Sequence, residues 1–249
     1  MNARFLTLAF VGATSHLAHA EEVDATLTTS SNSARDVLDA DYSSFLHGPL
    51  SGQRATVLLG GGWDVAAGRA RADVSAWVPL YRRISAIGGA HYAPDGTWRP
   101  EAGIAVALTD PRQGVVQSHL LVQYRAEGFS EPEGEIELTL RGGIRSRRAS
   151  LFAEASYGQD PEASERDAEL AVDATVSWGV LSAGLGVRGR KGLGEKQEAV
   201  SWDLVAGPHL GIVVGEGHFL GVAGGLSLLA RQGNTKAGVL GLLSYAVAY

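Results

Sequence analysis

The sequence predicts an all-β protein, a transmembrane antiparallel up-and-down β-barrel of about twelve strands, within a range of 10 to 14. Three observations predict it. Stretches in which the side chains alternate between two faces recur along the chain, and most of them are ten to thirteen residues long. The segments between these stretches alternate between short and longer polar connections. The composition, with 33 glycines, 8 prolines and no cysteine, favours strands and tight turns over helices.

The first element is a predicted signal peptide over residues 1–20. Arg4 precedes the apolar run FLTLAFVGAT, and Ala18 and Ala20 supply the small residues that a signal peptidase reads. The apolar run is too short to cross a bilayer as a helix. We therefore expect an exported chain whose mature form begins at Glu21.

Residues 21–52 form a polar N-terminal segment that is rich in Ser, Thr and Asp. One short helix capped at Ser33 is predicted within it. Three uses stay open for the segment: a disordered periplasmic lead, a plug folded into the barrel, or a docking peptide for an envelope partner. Disorder is the default expectation, because the segment has few apolar residues to bury.

The barrel itself is predicted to occupy residues 53–249. In 167–178, DAELAVDATVSW, the residues from Leu170 to Trp178 alternate between an apolar and a mostly polar face, which is the pattern of a half-polar strand. The same alternation in the second strand turns Trp77 inward. Pro208 interrupts the tenth strand, so Gly207 and Pro208 are either part of it or a turn that changes the strand count by two. The predicted strands cover 53–64, 69–80, 83–92, 98–109, 115–126, 134–144, 149–158, 167–178, 181–190, 198–214, 218–229 and 237–249.

The connections sort by length. Those after the odd-numbered strands tend to be longer and polar, whereas those after the even-numbered strands are short, down to the two residues 179–180. Short periplasmic turns that alternate with longer outer loops are typical of bacterial outer-membrane barrels, and an even strand count returns both termini to the periplasm. The two sets are 65–68, 93–97, 127–133, 159–166, 191–197 and 230–236, and 81–82, 110–114, 145–148, 179–180 and 215–217.

The last strand, GVLGLLSYAVAY, carries a resemblance. Leu243, Tyr245, Val247 and Tyr249 place apolar or aromatic side chains at alternate positions, with an aromatic residue last. This ending resembles the terminal signature of Gram-negative outer-membrane β-barrel proteins, which more often end in Phe. As architecture the resemblance covers residues 53–249. It implies an outer-membrane location, contact with outer-membrane lipids and lipopolysaccharide, and recognition of this strand by the barrel-assembly machinery.

The polar strand faces are predicted to line the lumen. Their cations and carboxylates are about equal in number, which is compatible with a narrow, weakly selective channel for small polar solutes. It is equally compatible with an interior filled by ion pairs, in which case the protein is a closed barrel that serves as a structural or docking component of an envelope complex. The predicted lining residues are Arg71, Asp73, Arg83, Arg99, Glu101, Arg125, Glu135, Glu137, Arg141, Glu154, Asp173, Arg188 and Asp203.

Other classes of protein fit the sequence less well than a membrane barrel. With 21 Lys and Arg against 27 Asp and Glu, the chain has no electrostatic case for binding nucleic acid. No metal or cofactor is expected, because there is no cysteine and no histidine pair at a chelating spacing. No enzyme is expected either, because Ser118 and His119 fall on opposite strand faces, while Ser201 and His209 are too far apart to touch. A soluble secreted sandwich or a periplasmic ligand-binding barrel stays as the alternative that keeps the strands.

Overall fold

A computed structural model describes residues 45–46, 54–65, 68–92, 96–110, 115–126, 128–129, 134–146, 148–161, 166–193, 202–231 and 234–249. Twelve β-strands in these residues form one closed barrel in which every strand pairs antiparallel with the next. The predicted fold class and strand number are therefore confirmed. The predicted signal peptide lies outside the described residues, and so does the polar segment 21–52 except for Phe45 and Leu46.

The strands follow the predicted alternating stretches closely and run from nine to 15 residues, long enough for tilted strands to cross the hydrocarbon layer. They are β1 (Thr56–Asp64), β2 (Arg69–Tyr81), β3 (Ile84–Tyr92), β4 (Trp98–Ala107), β5 (Val116–Ala126), β6 (Gly134–Arg145), β7 (Ala149–Gln159), β8 (Arg166–Trp178), β9 (Leu181–Gly192), β10 (Trp202–Gly215), β11 (His218–Arg231) and β12 (Asn234–Ala248).

Pro208 lies within β10 and does not break it. Gly207 and Pro208 keep their partners on β9, Gly186 and Leu185, but neither has a pairing partner on β11. A proline has no backbone N–H to donate, so the ladder on one side of β10 is interrupted while the strand continues. The count of twelve strands follows from this continuity.

The two ends of the barrel differ. The terminal end, defined as the end that holds Ala55 and Tyr249, has the connections 82–83, 108–115, 146–148, 179–180 and 216–217, and the distal end has the other six. Gly179 and Gly217 have φ angles of 60° and 73°, which the two-residue turns 179–180 and 216–217 require. The alternation of lengths is not strict, because 108–115 spans eight residues and the distal connection 232–233 spans two.

The last strand closes the barrel. β12 pairs with β1 from Thr56↔Ala248 to Asp64↔Leu240, and the backbone N–H of Tyr249 donates to the carbonyl of Ala55 at 2.8 Å. Closure pairs the two strands that would otherwise be open edges, which a wall in lipid needs because hydrocarbon offers no hydrogen-bond partners.

The outer face is apolar. On β8, Leu170 is 66 % exposed and points outward, while its neighbour Ala171 is buried. Trp77 does not belong to this face and is 3 % exposed inside the barrel, as the alternation predicts. An apolar band between two aromatic belts is the surface that such a barrel presents to lipid. The exposed aromatic residues among those described are Trp63, Trp98, Tyr124, Phe129, Tyr157 and Trp202 near the distal end and Tyr81, Trp178 and Tyr249 near the terminal end.

Candidate functional site

The inner face of the barrel carries the charged side chains. Among the described side chains on the inward register, carboxylates outnumber guanidinium groups, because Asp64, Asp167 and Glu169 also face inward. Continuing the predicted alternation to the ends of β1 and β8 finds all three. The inward carboxylates are Asp64, Asp73, Glu101, Glu135, Glu137, Glu154, Asp167, Glu169, Asp173 and Asp203, and the guanidinium groups are Arg71, Arg99, Arg125, Arg141, Arg188 and Arg190.

Arg83 differs from the prediction. β3 begins at Ile84, and the two-residue turn at the terminal end is Arg82 and Arg83 rather than residues 81–82. The pairing of β2 with β3 is irregular between Pro79 and Tyr81, which extends β2 by one residue and shifts the turn. The Arg83 side chain is therefore exposed at the rim and does not line the strand interior.

The centre of one wall holds a fully buried ion pair. Arg141 on β6 and Glu154 on β7 are directly opposite each other, with 3.2 Å between Nη2 and Oε1. Their side chains are 1 % and 2 % exposed. Removing two charges from water is costly unless they are paired, so each group depends on the other.

A second group of polar side chains continues from β6 to β4. The Thr139 hydroxyl donates to Glu137 at 3.0 Å and lies 2.7 Å from the Ser156 hydroxyl. Arg125 forms ion pairs with Glu137 and, at 3.4 Å, with Glu101. The structure therefore joins three of the predicted lining residues, from three strands, around one guanidinium group.

Three further ion pairs lie toward the distal end. Arg188 pairs with Glu169 at 2.7 Å, and Arg190 pairs with Asp167. On the other side of the barrel, Arg71 pairs with Asp64 at 3.1 Å. The Asp64 carboxylate also accepts from the Ser227 hydroxyl at 3.1 Å.

The remaining predicted lining residues also lie on the inward register. The Asp73 side chain is exposed within the bore and lies over Gly60, where a Cβ would overlap it. Glu135 lies over Gly158 in the same way. Arg99 and Asp203 are half-buried on β4 and β10.

Asp173, Thr175 and His209 form a small buried group that could be mistaken for catalytic. His209 reaches across Gly184 to contact Asp173 at 2.8 Å through Nε2, and the Thr175 hydroxyl is 3.5 Å from the same nitrogen. A general base that activates a hydroxyl needs its orienting carboxylate on the other ring nitrogen. The Thr175 hydroxyl also donates to Asp173 at 2.8 Å, so the group satisfies itself as a structural hydrogen-bond cluster.

Two apolar groups also lie in the bore. Trp77 packs with Leu58, Ile87, Ala105, Leu121 and Ala246 toward the terminal end. Phe45 and Leu46, from the N-terminal segment, are 2 % and 5 % exposed and pack against inner-wall residues of β7 to β12. Sequence patterns could not place this pair, because its partners are far away along the chain.

The C-terminal signature residues line the last strand near the terminal end. Leu243 and Tyr249 are 64 % and 77 % exposed, Tyr245 stacks against His218, and Val247 is buried. The described strands also offer no cluster of three or more His, Asp or Glu side chains that could hold a metal ion.

In the part of the chain that the structure describes, no helix is long and apolar enough to cross a membrane. No family model matches the sequence, and no curated protein matches it.

Several solved structures are similar in fold. The KdgM porin superposes with a TM-score of 0.57 at 9 % identity, over 78 % of this chain and 99 % of that chain. The NanC porin gives a TM-score of 0.57 at 9 % identity, over 78 % and 98 %. The KdgM porin in complex with disordered oligogalacturonate gives 0.56 at 8 % identity, over 78 % and 99 %. With its closed antiparallel wall, apolar outside and charged inside, the chain thus has the fold of the outer-membrane β-barrels, as its last strand predicts.

Proposed function

We propose that the protein is a channel for small polar solutes in a bacterial outer membrane, and that it is not an enzyme. One observation carries the proposal: charged side chains stay accessible on the inner face of a wall whose outer face is apolar. The Arg71, Arg188 and Arg190 side chains are 30 %, 30 % and 52 % exposed there. Ionised groups with this accessibility are stable only in contact with water, which supports a water-filled path through the distal half of the barrel.

The inner charge supports a weak preference for cations. Carboxylates outnumber guanidinium groups among the described inward side chains, and most of these guanidinium groups are paired with a carboxylate. One of the similar porins is in complex with oligogalacturonate, a polyanion. This inner wall does not favour a polyanion, so we do not extend that ligand to this chain.

The first prediction concerns conductance. Refolded full-length protein in a planar bilayer is expected to give discrete current steps. Under a salt gradient, its reversal potential should be shifted modestly toward the equilibrium potential of the cation. Arg190→Ala should shift it further, because Arg190 faces the bore and its loss exposes the charge of Asp167. Lys191→Ala is the matched control, since Lys191 is the next residue on the opposite strand face.

Gel mobility that changes on boiling would first show that the barrel has folded. A folded protein that stays silent at every voltage and salt concentration would contradict the channel proposal. Equal shifts for Arg190→Ala and Lys191→Ala would contradict the assignment of Arg190 to the conducting face.

A closed barrel that serves as a structural or docking component of an envelope complex is the second candidate. The observation that favours it is the apolar filling of the bore by Trp77, Phe45 and Leu46. Affinity purification from crosslinked membranes, compared with a chain that lacks residues 21–52, would test it. Absence of any specific partner in both preparations would contradict this candidate.

The second prediction concerns assembly through the C-terminal strand. Tyr249→Ala leaves the backbone bond to Ala55 in place, so refolding into detergent should be unchanged. In cells we expect a several-fold smaller heat-modifiable fraction in outer-membrane preparations, because the exposed Tyr249 ring is lost from the strand that we propose the barrel-assembly machinery recognises. Tyr81→Ala is the control, since Tyr81 is a similarly exposed tyrosine at the same end of the barrel. Equal losses for both variants would contradict a role of the C-terminal signature.

A further inference from the structure

Phe45 and Leu46 lie deep in the bore although they precede the barrel in the sequence. The Phe45 ring packs with Val205 on β10, Ala223 on β11 and Leu240 on β12. Its centroid is 6.0 Å from that of the His209 ring. A Cβ at position 186 on β9 would overlap the Phe45 ring, so Gly186 leaves the space that the ring occupies.

Leu46 extends this contact to the next two strands. It packs with Phe152 on β7 and Ala171 on β8. Two consecutive residues therefore contact six consecutive strands, which is half of the wall. All these partners lie on the inward register, so the contact is inside the bore rather than at a rim or on the lipid face.

The contact lies at the level of the central polar groups. Ala171 is directly paired with Glu154, the partner of Arg141, and Asp173 is directly paired with Gly186. The wall residues around the two side chains, Arg141, Glu154, Asp173 and His209, are all 7 % exposed or less. On the opposite wall, by contrast, Asp73 stays exposed. The apolar pair thus covers the bore along β7 to β12, whereas Asp73 on β2 stays accessible.

We propose that Phe45 and Leu46 are an anchor seated inside the barrel, and that these two side chains obstruct the bore along β7 to β12. The effect on conduction rests on the proposed channel function, whereas the placement of the anchor does not. Withdrawal of the two side chains would leave the wall of the barrel intact and widen the path past the central polar groups.

The placement is tested by crosslinking, because the chain has no cysteine of its own. Leu46→Cys combined with Ala171→Cys, which keeps the Phe45 ring, should crosslink in the folded full-length protein with a short bis-maleimide, which is read out as a mobility change. Leu46→Cys combined with Leu58→Cys is the control, since Leu58 also faces inward but packs in the separate cluster around Trp77. Failure of the first pair, or equal yields from both pairs, would overturn the anchor.

The obstruction is tested by single-channel current. Phe45→Ala with Leu46→Ala should raise the ratio of open to obstructed dwell times roughly tenfold or more, because two buried apolar side chains favour the seated state. Leu226→Ala, on the lipid-facing side of β11, should leave the ratio unchanged. A conducting parent whose currents are the same in the double variant would overturn the obstruction and leave the channel standing. Folded protein that is silent in every variant would overturn the channel and the obstruction together, and the crosslink would still decide the anchor.

Discussion

Replacing Leu140 by arginine is expected to destabilise the barrel folded in a bilayer by about 2–4 kcal/mol. Leu140 lies near the middle of β6, between Leu120 and Ala155 on the neighbouring strands, and is 52 % exposed on the outer face. At this depth a guanidinium group would face hydrocarbon, where it finds neither water nor a carboxylate. Urea-dependent folding into lipid vesicles measures the loss.

The matched control is on the same face of the same strand. Ile136→Arg places the same charge nearer the distal end, where the cost should fall to about 0–1 kcal/mol because the side chain reaches the headgroup region. A depth-dependent difference between the two variants is the signature of a membrane-spanning wall. Equal, small losses at both positions would contradict it and favour the soluble barrel or sandwich that the strand pattern alone leaves open.

Arg141→Leu is expected to cost about 3–5 kcal/mol of stability, because it leaves the Glu154 carboxylate buried without the opposing guanidinium. Both side chains are nearly inaccessible and are joined across 3.2 Å. The double variant Arg141→Leu with Glu154→Leu should recover most of the loss, since it removes both buried charges. Urea unfolding of the four proteins of this double-mutant cycle measures the coupling.

A more accessible pair provides the comparison. Arg188 pairs with Glu169 in the same wall, but its side chain is 30 % exposed, so Arg188→Leu should cost no more than about 1 kcal/mol after solvent screening. If Arg141→Leu and the double variant lose the same amount of stability, the buried Glu154 carboxylate does not need Arg141 as its partner. If Arg188→Leu is as costly as Arg141→Leu, burial is not what makes the central pair important.

Most of the barrel could be predicted from the sequence because a strand with one face in lipid and one face toward a polar bore needs a period of two. That period is visible in β8, where Leu170 and Trp178 share the outer face. Strand ends were less certain, because the pattern fades where the wall leaves the membrane. The turn at Arg82 and Arg83 shows this, since one irregular pair in β2 moved Arg83 out of the predicted lining.

The candidate site was predictable as a set of residues but not as an arrangement. Alternation turns Arg141 and Glu154 to the same side of the wall, yet their contact depends on the register between two strands. Asp64 and Ser227 contact each other although they are 163 residues apart. Barrel closure decides such contacts, and no local pattern reports it.

The sequence by itself determined the strands, their two faces and the closing last strand, because these depend on local alternation between apolar and polar side chains. Only the tertiary structure decided which charges pair, that β10 continues through Pro208, and that Phe45 and Leu46 lie inside the bore. The physical reason is that the first set of features depends on residues close together in the sequence, whereas the second depends on residues far apart in it. Whether a side chain faces lipid is set by its neighbours in the strand, whereas what it contacts within the bore is set by how the strands align around the closed wall.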